Sequence, residues 1–114
     1  MEDLFKDRRL ILAPMAGVTD EVFRELCIEA GAQLTYTEMV SAKALSYGSG
    51  KTRDLLVLAP SEKQVAVQIF GHEPETMAQE AYELEQMLGH AVFSFDVNMG
   101  CPAPVSYTHL RAHE

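Results

Sequence analysis

The sequence predicts an α/β fold built on parallel strands. Two observations carry that expectation. Short apolar runs alternate with segments of helical periodicity, and the residues able to do chemistry gather where the apolar runs end. The predicted order is strand–helix–strand–helix–strand–helix–strand. Right-handed crossovers between successive parallel strands then build either a doubly wound sheet or a barrel.

Each element has a local reason. Leu10-Ile11-Leu12-Ala13 is too short for a helix and is stopped by Pro14, which makes it the first predicted strand. Asp20 caps a helix whose apolar positions Val22, Phe23, Leu26, Cys27 and Ala30 share one face at a period of 3.6. Gly31 ends it, where a helix terminus wants a residue tolerant of positive φ. Leu34-Thr35-Tyr36-Thr37, β-branched and aromatic, is the second strand. Between positions 39 and 60, residues 41–45 and 51–58 read as helical, with Gly48-Ser49-Gly50 as a break. Val65-Ala66-Val67-Gln68-Ile69-Phe70 is the clearest strand. Pro74 suits a first helical position, and Met77, Ala81, Leu84 and Leu88 form the stripe that follows, up to Gly89. Phe93-Ser94-Phe95-Asp96-Val97-Asn98 alternates strictly and is the fourth strand.

Composition bounds the function. A chain of 114 residues can bury one modest core, and 47% apolar with 23% charged residues is ordinary for a folded globular domain. A net charge of −8, from nine basic and seventeen acidic residues, provides no basic stripe for phosphates. Any extensive nucleic-acid surface is therefore expected outside these residues. The N-terminus lacks the pattern of a secretory signal, no apolar run is long enough to span a bilayer, and a cytoplasmic location is expected. Cys27 and Cys101 have no paired spacing and the four histidines share no ligand pattern, so no metal is expected.

The strand ends hold the candidate chemistry. They run into Pro14-Met15-Ala16-Gly17, Glu38-Met39, Gln68 with Gly71, and Asn98-Met99-Gly100-Cys101-Pro102. In parallel β/α folds the C-terminal strand ends form the active-site face. Ser94, Asp96 and Asn98 share one face of the fourth strand, and Ala66 and Gln68 one face of the third, as a ligand with hydrogen-bonding ring edges requires. Read singly, these residues leave alternatives open. Cys101 also fits a small buried hydrophobe, Gln68 a strand residue satisfying a loop, and Asn98 a turn cap. Glu38 and Lys43, beside the expected mouth, fit substrate contact, an ion pair or solvated surface equally well.

Four blocks carry a family resemblance. Leu12-Ala13-Pro14-Met15-Ala16-Gly17-Val18-Thr19-Asp20, Thr37-Glu38-Met39-Val40-Ser41-Ala42, Val67-Gln68-Ile69-Phe70-Gly71 and Asp96-Val97-Asn98-Met99-Gly100-Cys101-Pro102 resemble, in order, successive blocks of the bacterial tRNA-dihydrouridine synthases. The resemblance implies the first four parallel strands, with their helices, of a (β/α)8 TIM barrel over residues 1–104. It also implies FMN across the mouth, with Pro14, Met15 and Ala16 against the flavin and the Gln68 amide bonded to its ring. Asn98 would place the flavin or the target uracil, and Cys101 would be the catalytic proton donor. NADPH would supply electrons, and tRNA would be the substrate, held mainly by a C-terminal domain beyond this chain.

Residues 105–114 show no such resemblance and read as a foreign or disordered tail. A complete barrel takes about 250 residues, so this chain alone is expected to be inactive and to self-associate through exposed sheet edges. Two other functions also fit the sequence: a flavin barrel reducing a free pyrimidine or small enone, as in the dihydroorotate dehydrogenase class, and a non-catalytic truncated α/β fragment.

Overall fold

The computed structural model describes residues 5–100. Its elements are α1 (Glu21–Glu29), β1 (Val40–Ser41), α2 (Ala42–Ser46), α3 (Gly50–Asp54), β2 (Val65–Phe70), α4 (Pro74–Leu88), a 3-10 turn (Gly89–Ala91) and β3 (Val92–Val97). The three strands form one parallel sheet in the order β1-β2-β3. This is an α/β architecture that fits part of a barrel.

Four full strands were expected, and the sheet has three. The predicted first and second strands are extended segments held by single parallel bridges, Ile11 to Leu34 and Tyr36 to Ala66. Leu12 N donates to Leu34 O at 2.9 Å and Ala66 N to Thr35 O at 2.9 Å, so spatial order still follows chain order. The ladder beside β2 breaks after Thr37 and resumes as β1, where Val40 pairs with Ile69. At the break, Thr37 Oγ1 accepts the Gln68 N–H at 3.1 Å, in place of a backbone carbonyl. A side chain thus satisfies a donor that regular pairing would have taken.

The core lies between this sheet and its helices. Val40, Leu45, Leu56, Val65, Val67, Ile69 and Leu84 are buried together, with Met77, Ala81, Leu88 and Phe95 packed against them. The alternation of β2 and the stripe of α4 are therefore the two sides of one apolar interface. Gly71 lets them meet closely: a Cβ there would sit 3.1 Å from Met77 Cγ. Between β2 and β3 the register slips at Val65/Ala66. Near this irregularity Phe93 packs on Phe5, ring centroids 5.9 Å apart, with the Arg8 guanidinium 4.4 Å from its centroid.

Helix α1 starts and stops as expected. Asp20 accepts the Phe23 N–H at 2.8 Å, and Gly31 takes φ +115° beyond its end. Its inward face differs from the predicted stripe. Val22 and Leu26 are 64% and 58% exposed, Ala30 is exposed, and Arg24 is 1% exposed. The cause is an ion pair. Arg24 Nε and Nη2 reach the Glu62 carboxylate at 2.9 and 3.1 Å, Nη1 donates to Thr19 O at 2.9 Å, and Nη2 also donates to Val57 O at 2.6 Å. Glu62 further accepts the Thr35 hydroxyl and the Ala59 N–H. A guanidinium so fully bonded turns its own side of the helix inward, at the expense of the apolar stripe.

Two stability tests follow from this packing. Arg24→Met keeps side-chain bulk but leaves the Glu62 charge buried, and is expected to cost about 3–5 kcal/mol in urea unfolding; a loss below about 1 kcal/mol would contradict the assigned role. The second concerns Glu80 on α4, whose carboxyl is held above its ordinary value by burial first and by Glu83 next, against a smaller opposing pull from Arg53. Folding thus favours the protonated form, and that stabilisation, complete below about pH 4.5, is lost as pH rises through the raised folded value. Glu80→Gln should raise the thermal midpoint by a few degrees at pH 7 and leave it nearly unchanged at pH 4. Equal effects at both pH values would contradict it.

Candidate functional site

Three predicted strand ends and the turn after the first segment meet through a continuous run of hydrogen bonds. Residues Pro14 to Gly17 leave the first extended segment as a tight turn. Val18 N and Thr19 N both donate to Met15 O, at 3.0 and 2.9 Å. The buried Thr19 hydroxyl accepts the Met15 N–H at 3.1 Å and donates back to Met15 O at 3.2 Å. Gly17 takes φ +75°, a conformation side chains rarely adopt, and its N–H donates to Glu38 Oε1 at 2.5 Å. Met15 and Ala16 are exposed on this turn and Pro14 is half-buried.

From Glu38 the connections continue across the sheet. Thr37 Oγ1 donates to Glu38 O at 2.9 Å and accepts the Gln68 N–H. Gln68 Oε1 accepts from Asn98 Nδ2 at 3.2 Å, and that same Nδ2 lies 3.3 Å from Met39 Sδ. The Asn98 backbone N–H donates to Ile69 O at 2.9 Å, and its Oδ1 accepts the Gly100 N–H at 3.0 Å. Gln68 and Asn98 are therefore direct neighbours. The turn bearing Pro14, Met15 and Ala16 reaches them through Glu38 and Thr37. Cys101 lies outside the described residues.

Further along the same face, toward the strand starts, Ser94 Oγ donates to Asp96 Oδ1 at 3.2 Å, and Asp96 is in register with Gln68. The Tyr36 phenol is held above its ordinary value, first by burial and then by the charge and hydrogen bonding of Asp96. It remains a neutral donor across the physiological range. Lys43 and His72 line a shallow depression at the sheet's C-terminal end, beside Gly71 and Met77, and Lys43 is exposed. A second depression, lined by Arg8, Gln33, Thr35, Glu62, Lys63 and Gln64, lies at the opposite end of the strands and holds none of these groups.

Sequence reasoning passed over several of the connectors. Among the described residues Glu38 has no ion-pair partner, and its carboxylate accepts the Gly17 N–H and so holds the first turn. Thr19, Thr37 and Tyr36 carry no candidate role in the sequence, and Met39 appears there only as part of a strand end. The available signal is that Thr19, Thr37 and Met39 lie inside the quoted blocks and Tyr36 immediately precedes the second. Most of their roles depend on distant partners, up to 60 residues away for Tyr36 and Asp96.

A family model described as Dihydrouridine synthase (Dus) matches residues 11–110. This chain belongs to the dihydrouridine synthase family. It is 43% identical over 95 residues to tRNA-dihydrouridine synthase B of Shewanella oneidensis, covering 83% of this chain and 29% of the relative. The proteins of that name from Pseudomonas aeruginosa and Escherichia coli are each 44% identical over 95 residues, covering 83% of this chain and 28% and 29% of the relatives. The chain thus spans less than a third of the dihydrouridine synthases it matches. Among the described residues no helix is long and apolar enough to cross a membrane, and no group of three or more His, Cys, Asp or Glu could hold a metal.

The Tyr36–Asp96 contact is open to direct titration. Alkaline ultraviolet difference titration should show one tyrosine ionising later than the others, and Asp96→Asn should bring that transition down toward pH 10, the ordinary value. An unchanged last transition in Asp96→Asn would dissociate the two groups.

Proposed function

We propose that these residues form the first part of the active-site barrel of an FMN-dependent enzyme that reduces the carbon 5–carbon 6 double bond of uridine in tRNA, with NADPH as electron source. The hydrogen-bond run from Gly17 through Glu38, Thr37 and Gln68 to Asn98 is the observation that carries the reading, because it holds in one array the groups that the family blocks contribute. The residues fit a flavin ring. Gln68 is half-buried, and its Nε2 has no protein partner among the described residues, leaving a donor for a ring acceptor. Pro14, Met15 and Ala16 offer a small, partly apolar ledge held from behind by Thr19 and Glu38. The parent enzyme works in the cytoplasm, where its tRNA substrate is found.

A flavin held by Pro14, Met15, Ala16 and Gln68 would, when reduced, provide hydride for carbon 6 of the uracil. That carbon is conjugated to the carbon 4 carbonyl, so the electron pair of the double bond moves toward that oxygen and leaves an enolate. The enolate needs a proton at carbon 5. The Cys101 thiol gives it, breaking its S–H bond, and the thiolate is reprotonated from solvent. An unperturbed thiol has a pKa of about 8.5 and is mostly protonated near neutrality, which suits a general acid. The target base must leave its stack to reach the mouth, at a cost of a few kcal/mol. Most of the tRNA contacts belong to the remainder of the enzyme, in keeping with the charge of −8 on these residues. Expressed alone, the chain exposes Leu10 and Ile11 at one side of the sheet and Val97 at the other, and self-associates there.

The two half-reactions test this assignment in the full-length enzyme that carries the segment. Cys101→Ala should leave flavin reduction by NADPH within about twofold and slow dihydrouridine formation in unmodified tRNA by about 10²–10⁴-fold. Equal damage to both steps, or undiminished tRNA reduction, would remove Cys101 from the role. Reduction of free uracil in preference to tRNA would reject the RNA substrate.

A further inference from the structure

We infer that Asn98 is a positioning residue: it locks the Gln68 amide so that Gln68 presents its NH2 group, and never its oxygen, to the ligand. The inference rests on the proposed flavin contact of Gln68 and adds its polarity. It also gives Asn98 a role exerted through Gln68.

The lock follows from donors and acceptors taken in sequence. The Gly100 N–H can only donate, so the Asn98 atom 3.0 Å from it is the carbonyl oxygen. Asn98 is anchored in that pose by its own backbone N–H, which donates to Ile69 O at the end of β2. Its NH2 group then faces Gln68 and Met39. An amide NH2 also only donates, so the Gln68 atom 3.2 Å away is the oxygen, and Met39 Sδ takes the second hydrogen as a weak acceptor. Were Gln68 to turn over, two NH2 groups would face each other and a bond would be lost. The Gln68 backbone is held in turn by the Thr37 hydroxyl.

The consequence is a selection rule for the ligand edge. A ring carbonyl oxygen or an unprotonated ring nitrogen is accepted at Gln68, and a ring N–H is rejected there. Losing one such bond changes affinity by about tenfold.

The test is a double-mutant cycle on FMN affinity in the full-length apoenzyme, together with an amide measurement on the 114-residue chain. Gln68→Leu removes the donor. Asn98→Asp keeps shape and still accepts the Gly100 N–H, but cannot donate, so Gln68 turns its NH2 toward the new carboxylate. Each single change should weaken FMN binding about tenfold, and Asn98→Asp should add less than about twofold once Gln68 is Leu. Additive losses, near a hundredfold in the double variant, would overturn the lock while leaving the Gln68 contact standing. An unchanged FMN affinity in Gln68→Leu would overturn the contact and the lock together. Independently of flavin, Asn98→Asp in the 114-residue chain should shift the Gln68 side-chain amide resonances and slow their exchange with solvent. Unmoved resonances in a folded variant would also overturn the lock.

Discussion

The buried pair of Arg24 and Glu62 is the constraint on which the arrangement of these residues depends. Removing two charges from water costs several kcal/mol per ion, and only close geometry with further hydrogen bonds offsets it. Here that geometry draws on four separate stretches of chain. Arg24 comes from α1, Glu62 and Val57 from the approach to β2, Thr35 from the second extended segment, and Thr19 from the turn before α1. Satisfying one pair of ions therefore sets the distance of α1 from the sheet and the placement of residues 34–37 beside β2. It also reaches the site, because Thr19, whose carbonyl bonds to Arg24, holds Met15 with its hydroxyl.

The site makes similar use of satisfied polar groups. A regular ladder from residue 34 to 41 would have left Glu38 as one more strand residue. The break at Thr37 frees Glu38 to turn toward Gly17, and the Thr37 hydroxyl covers the donor that the break exposes. Strand regularity is lost over two residues, and the turn carrying Pro14, Met15 and Ala16 is tied to the sheet. Behind this array Val65, Val67 and Ile69 pack against α4, so Gln68 projects from a strand whose other face is fully packed. A binding amide gains precision from such a base, since the backbone beneath it has little freedom.

How much was legible varied with the range of the interaction. The cap at Asp20, the stop at Gly31, the extent of β2 and the stripe of α4 depend on contacts within a turn or on simple periodicity, and all are present in the structure. The inward face of α1 was misjudged because apolar spacing ranks Val22 and Leu26 above Arg24. Nothing local reveals that an acid 38 residues away will bury that arginine. The sequence predicts the second strand at 34–37, where the structure has a single bridge, and regular pairing with β2 comes at Val40–Ser41, because the Thr37 break cannot be recognised until Gln68 lies alongside.

The sequence by itself determined the α/β class, the order of the elements and the family, because periodicity, turn chemistry and the four blocks are properties of short stretches. It also named Gln68 and Asn98 as candidates. Only the tertiary structure decided that these two amides touch, which atom of each faces the other, and that Glu38 serves the first turn. The physical reason is that hydrogen-bond polarity is a relation between groups. An amide in a sequence offers both a donor and an acceptor, and the choice is made by the neighbours that folding brings to it.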